Sequence, residues 1–173
     1  VQSGHISAVG FDLYVTLVAD AVAELQSGRA PEPQPAEVRI DLPVAAHLPD
    51  DYVASQAARL EAYRRLAAAA TQAEVDDVVA EWVDRFGPLP RRAGALIEMA
   101  RLRVEALRVG LTEVVRWRDE VKLAPVTLSA SQEVRLQRLV PRAVLRAREL
   151  FIPAPARAPA AALAEFIRTM WPL

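Results

Sequence analysis

The sequence predicts an α+β fold: a small helical bundle packed with a short antiparallel sheet and preceded by a connecting helix. Three observations carry this prediction. Apolar residues recur at helical spacing through three successive stretches between Ser55 and Gly110. They alternate at period two around Val38 to Leu42 and again beyond Leu111. Pro31, Pro33 and Pro35 interrupt the chain between its first helix and everything that follows. With 173 residues and 53% hydrophobic content the chain can fill a core of ordinary size.

Taken in order, Phe11 to Gln26 reads as a helix with Tyr14, Leu17, Val18, Ala21, Val22 and Leu25 on one side and Ser27-Gly28 at its end. The proline-spaced run 30–36 is a linker, which divides a leading part, 1–29, from a terminal domain, 37–173. Glu37 to Leu42 alternates as a short strand. Ser55 caps a helix whose inward stripe is Leu60, Tyr63, Leu66, Ala67 and Ala70, with Arg59, Glu61, Arg64 and Arg65 facing water.

The next helix is the best signed of all. Thr71 with Glu74 forms a capping box, and Gly87-Pro88 is a stop. Val75, Val78, Val79, Trp82, Val83 and Phe86 fall at helical spacing within it. A third helix, from Arg91 to Val109, carries Ala93, Leu96, Ile97, Ala100, Val104 and Leu107 inward and ends at Gly110. Short connections between the three imply a bundle.

Leu111 to Leu128 reads as two strands joined at Asp119-Glu120, the second near a sheet edge because Pro125 cannot donate to a ladder. Ser129 with Gln132 is a second capping box, opening a helix with Val134, Leu136, Leu139 and Val140 that stops before Pro141. Val144 to Ile152 is expected as one further strand, and the last helix holds Leu163, Phe166, Ile167 and Met170.

A net charge of -1 gives no overall basic field of the kind that draws DNA or anionic membrane. The chain has no cysteine, which excludes disulfides, thiolate zinc sites and a cysteine nucleophile and fits a reducing cytoplasm. Two histidines are too few for an imidazole-rich metal site. No apolar run reaches the roughly 18 residues of a membrane span, and the opening VQSGHISAVG lacks signal-peptide character. The expectation is a soluble cytoplasmic monomer, excised from a longer protein.

The candidate site is a stripe of carboxylates. Glu74, Asp77, Glu81 and Asp84 fall within roughly 80° of arc on the second bundle helix, at about 100° per residue. Such a stripe is either a solvated outer face or a surface that receives a partner's arginines; spacing does not choose between them. Arg85 alone relieves it along the helix.

Other candidates have ordinary readings beside the functional ones. His5 beside Ser3 and His47 beside Asp50 lack a third partner for acid-base work. Arg135, Arg138, Arg142, Arg146 and Arg148 form a basic cluster that suits nucleic acid or RNA polymerase, or simply solvent. Gly10-Phe11-Asp12-Leu13-Tyr14-Val15-Thr16-Leu17 resembles the nucleophile motif of haloacid dehalogenase-type hydrolases. That chemistry also needs a lysine and an acidic pair on further parallel strands, and the chain has one lysine, Lys122, in a hairpin, with Asp76-Asp77 inside an amphipathic helix.

The blocks GHISAVGFDLY, VRIDLPVAAHLPDDYV, RLEAYRRLAAA and EWVDRFGPLP, in that order, resemble the C-terminal region of bacterial transcription-repair coupling factors, the Mfd family. The last is the most specific: Glu81, Asp84, Arg85, Phe86, Gly87, Pro88 and Pro90 sit as in the family's E-L-x-D-R-F-G-x-L-P pattern, with Trp82 in place of an aliphatic residue. The resemblance covers Gln2 to about Gly110; the remainder is read from pattern alone.

The resemblance implies that Gln2 and Gly4 belong to the end of a translocase loop shared with RecG-type motors. ATP and magnesium would serve the parent's motor, and the chain itself would hold no cofactor, no metal and no catalytic residue. The terminal domain would act as a brake that docks on the UvrB-like module of the same protein and covers the surface recruiting UvrA, until a stalled RNA polymerase releases it. In that scheme Glu81 and Asp84 face arginines of the module, with Asp77 and Glu74 in lesser roles.

Overall fold

The computed structural model describes residues 38–173. The expected helix at 11–26, the linker at 30–36 and the residues His5 and Asp12 lie outside them. Among the described residues the order is β1 (Arg39–Asp41), α1 (Gln56–Ala68), α2 (Gln72–Phe86), α3 (Arg91–Arg108), β2 (Glu113–Trp117), β3 (Glu120–Ala124), α4 (Ala130–Leu139), β4 (Val144–Arg146), β5 (Glu149–Pro153) and α5 (Pro159–Met170). The α+β class is as the sequence predicts. The described chain divides into two compact units, Val44–Ala100 and 38–43 with Arg101–Leu173.

The first unit is helical. Ser55 accepts from the Ala58 N–H and starts α1. The buried residues of α1 are Ala62, Tyr63 and Leu66, followed by Ala69. Leu60 and Ala67 are only half-buried and Ala70 is exposed, so the inward stripe lies rotated from the one the apolar spacing suggests. Alanine tolerates either face, which makes a stripe drawn through alanines imprecise.

Arg59 does not simply face water. Its Nη1 donates to the Val53 carbonyl at 2.7 Å and pairs with Asp50 Oδ1 at 3.1 Å, fastening the loop before α1. The Tyr63 hydroxyl, buried, accepts from the Leu48 N–H at 2.8 Å on the same loop.

The second unit is built on a five-stranded sheet of order β1-β2-β3-β5-β4. β1 runs parallel to β2, so the sheet is mixed rather than wholly antiparallel; the three other pairings are antiparallel. The expected edge position of the 121–128 strand is corrected too. β3 lies between β2 and β5, because the ladder ends at Ala124, whose carbonyl accepts from Thr112, before Pro125 is reached.

The single strand expected over 144–152 is a hairpin, β4 and β5, turning at Ala147-Arg148 with Ala147 in the left-handed region at φ 53°. No glycine, asparagine or aspartate marks that turn, so the usual sequence signal is missing. α4 has the full Ser129–Gln132 capping box, yet only Leu136 is buried on it, while Val134 and Leu139 are exposed.

Alternation across the sheet sorts its residues. Ile40, Val114, Val121, Leu123, Leu150 and Ile152 share one buried face, and the residues that alternate with them along each strand point the other way. α4 and α5 pack on each other, with Leu163, Ile167 and Met170 fully buried on α5. Glu105, the one charged residue buried among those described, sits 2.9 Å from Arg108 and 3.6 Å from Arg168. α3 ends in a Schellman motif: Leu111 N–H reaches the Ala106 carbonyl, Gly110 N–H the Leu107 carbonyl, and Gly110 has φ 76°.

On the outer face Lys122 lies 2.6 Å from Glu113 and 3.4 Å from Glu149. The hydrogen bond to Glu113 raises its pKa above the ordinary 10.5 despite some desolvation. In the first unit, burial raises the Tyr52 phenol above 10.0. Both groups hold their protons more tightly folded than unfolded. Their contributions to stability are therefore whole below the unfolded values and are lost as pH rises through the folded ones. Melting temperature should fall as pH is taken above about 10, and Lys122→Met should flatten that fall. Thermal melts of the two proteins across the alkaline range measure it; identical slopes would remove Lys122 from the account.

Candidate functional site

Helix α2 carries the candidate site, and its position is fixed from both ends. Thr71 accepts from the Glu74 N–H, and Gly87, at φ 88°, ends the helix with its N–H on the Val83 carbonyl. The Glu74 carboxylate reaches the Ala70 N–H at 2.6 Å rather than the Thr71 N–H, so the expected capping box is shifted by one residue. Tyr52 donates towards the Gly87 carbonyl at 2.9 Å and the Trp82 carbonyl at 3.2 Å, and meets Phe86 edge to face at 5.8 Å.

The packed side of α2 is Val75, Val78 and Trp82, all 3% exposed or less. Val79 is half-buried and Val83 is 43% exposed, so the apolar spacing overstated the width of this side. Taken at about 100° per residue, Val78 and Glu81 are about 60° apart, which brings Glu81 to the margin of the packed side.

The four carboxylates consequently stand in different environments. Glu81 is the most enclosed, with a side chain 22% exposed. Its Oε1 accepts from Arg85 Nη1 at 2.8 Å, the pair visible in the sequence. Its Oε2 lies 2.8 Å from Arg65 Nη1 on α1, close enough for an ion pair but without a hydrogen bond's alignment, and is otherwise buried with no hydrogen-bond partner. The expectation that Arg85 alone relieves the stripe is thus corrected: Arg65, read from the sequence as facing water, covers Glu81 from the neighbouring helix.

Glu74 is committed to the cap. Asp77 and Asp84 are exposed, and neither forms an ion pair among the described residues. Arg65, Ala69, Glu74, Asp77 and Val78 line a shallow hollow of about 180 Å³ at the α1–α2 turn. Arg85 stacks over Phe86 at 5.0 Å, so its position is held while it pairs with Glu81.

His47 stands 3.4 Å from an Arg92 nitrogen, away from the acid-base partnership with Asp50 considered above. Gln2 and Gly4 lie outside the described residues. Among the described residues no group of three or more histidine, aspartate or glutamate side chains is placed to hold a metal, and no helix is long and apolar enough to cross a membrane.

These features define a small α+β domain with a mixed sheet, whose most organised charges lie on one helix face. The chain belongs to the TRCF domain family, whose profile matches residues 42–138. It is similar to the transcription-repair-coupling factors of Mycobacterium bovis and Mycobacterium tuberculosis, 49% identical over 157 residues in each case. That alignment takes in 84% of this chain and 13% of each relative. The factor of Staphylococcus aureus is 34% identical over 128 residues, 74% of this chain and 11% of the relative. The fold is like that of a crystal structure of the C-terminal domain of transcription-repair coupling factor, at a TM-score of 0.69 and 17% identity, covering 78% of this chain and 92% of that one.

Proposed function

We propose that this chain is the noncatalytic regulatory domain of an ATP-dependent DNA translocase that couples transcription to nucleotide excision repair. It docks on the UvrB-like module of the same protein and masks the surface that recruits UvrA. ATP hydrolysis, DNA and RNA polymerase then belong to other parts of the parent, of which this chain corresponds to about 13% in the relatives. The observation that carries the reading is the arrangement of Glu81 and Asp84. Asp84 is exposed and free of an ion pair, while Glu81 keeps a carboxylate oxygen without a hydrogen bond beneath Arg65.

A partner arginine can therefore join Asp84 at once and take over Glu81 by displacing Arg65, exchanging one charge pair for another. The net gain of such an exchange is small, because exposed ion pairs are worth about 0 to 1 kcal/mol. Small is what a clasp within one chain requires. Tethering supplies an effective concentration of order mM, at which a contact worth about 4 kcal/mol is near half closed.

The direct test is binding between this chain and the isolated UvrB-like module, measured by calorimetry at low and high salt. Weak binding that disappears as salt rises and is lost in Glu81→Ala with Asp84→Ala is the expected result. Binding indifferent to both would overturn the docking role of the ridge.

A further inference from the structure

The second unit has a charged surface that the ridge on α2 does not use. Between Glu133 and Glu149 the chain carries Arg135, Arg138, Arg142, Arg146 and Arg148 and no carboxylate. Arg135 Nη1 donates to the Met170 carbonyl at 2.9 Å. The other four are exposed and, among the described residues, form no ion pair. Two other cations of this unit are matched: Lys122 has two glutamates, and Arg168 has Glu105 and Glu165.

These arginines flank a sheet edge. β4 is the last strand in the order and pairs only with β5. The two-residue turn at Ala147-Arg148 makes Arg146 and Glu149 a hydrogen-bonded pair, so the alternation of an antiparallel ladder turns the Leu145 N–H and C=O away from β5. Val144 and Arg146 point to the outer face of the sheet with Phe151 and Glu149, and Arg142 lies just before the strand, in the turn closed by the Ala143 N–H on the Val140 carbonyl. Arg142 lines a surface hollow of about 320 Å³ with Trp117, Arg118, Asp119, Glu120 and Pro153, and Trp117 is 60% exposed.

A free edge ringed by arginines has an ordinary explanation, since charge on an edge strand deters pairing with another copy. That explanation covers self-association only. Two β4 edges brought together would oppose Arg142 and Arg146 with the same residues, whereas an acidic strand would meet complementary charge.

We propose that the β4 edge is a docking site for an extended acidic segment of another protein, added to the sheet as a further strand. The register specifies the segment. Residues opposite Val144 and Arg146 lie two apart on one face, which calls for an apolar residue, any residue and a carboxylate, and Arg142 just before the strand calls for a second carboxylate on the far side of the apolar residue. The exposed Val144, beside Phe151, selects the central apolar residue, and guanidinium groups select carboxylates in planar pairs. A nucleic-acid backbone has no use for the open Leu145 peptide or for Val144.

The test uses the whole chain with a short labelled peptide containing Glu-x-Val-x-Glu, a second peptide of the same composition with its glutamates moved to the x positions, and a single-stranded DNA oligonucleotide. The expected result is saturable binding of the first peptide with slowed hydrogen exchange at the Leu145 amide. Weakening of about tenfold or more is expected for the second peptide and for Arg142→Ala with Arg146→Ala, two exposed positions whose loss leaves the circular dichroism spectrum unchanged. Equal affinity for both peptides, or tighter salt-dependent binding of the DNA without protection of Leu145, would overturn the proposal in favour of a surface that reads charge alone. No binding of the first peptide up to about 1 mM would overturn it outright.

Discussion

Replacing Trp82 by alanine is expected to cost about 3 to 5 kcal/mol and to lower the melting temperature by about 10 °C. The indole is 1% exposed, and the backbone carbonyl of the same residue receives the Tyr52 hydroxyl. Removing a buried ring of that size leaves a void that the surroundings relax only partly to fill. The loss is a large part of the roughly 5 to 15 kcal/mol that holds a domain folded.

Val83→Ala, at the next position, should change stability by no more than about 0.5 kcal/mol, because Val83 is 43% exposed. Denaturant titration of both variants measures the contrast. A near-neutral Trp82→Ala would show that α2 is not anchored through this side chain, and with it the placement of the ridge would lose its support.

That contrast marks where the sequence stops being informative. Trp82 and Val83 both fall at helical apolar positions, and spacing alone ranks them alike. Chain ends of helices were readable because caps are local chemistry: Ser55, Thr71 and Ser129 each accept from an N–H three residues on, and Gly87 and Gly110 take the positive φ their positions need. The β4–β5 hairpin was not readable, since Ala147 adopts a left-handed conformation that nothing in its side chain advertises. The place of β3 inside the sheet depends on which strand pairs with which, a matter of distant residues rather than of Pro125 itself.

For the candidate site the division is the same. The Glu81–Arg85 pair follows from a spacing of four along one helix, and the acidic arc follows from the period. Arg65 does not: it belongs to α1, and only the packing of two helices brings it to Glu81. A stripe that looks like four equivalent carboxylates therefore contains one capping group, one guarded group and two open ones.

Asp84→Arg in the full-length parent is expected to raise UvrA binding by about tenfold or more while leaving this domain's melting temperature unchanged. The proposal above assigns Asp84 to a partner's arginine, and reversing its charge replaces an attraction with a repulsion. A swing of about 1.4 kcal/mol multiplies the open-to-closed ratio tenfold, and a charge-assisted hydrogen bond is worth about 1.5 to 3 kcal/mol. The fold is not touched, since Asp84 is exposed and forms no ion pair among the described residues.

Glu81→Arg is the informative companion. It would set a third guanidinium between Arg65 and Arg85, each now 2.8 Å from the Glu81 carboxylate, so it should open the clasp and also lower the stability of the isolated chain. Measuring UvrA binding to the parent and thermal melts of the fragment for both variants separates the two roles. If Asp84→Arg left UvrA binding unchanged while Glu81→Arg raised it only in step with unfolding, the carboxylates of α2 would be holding their own domain together and nothing more.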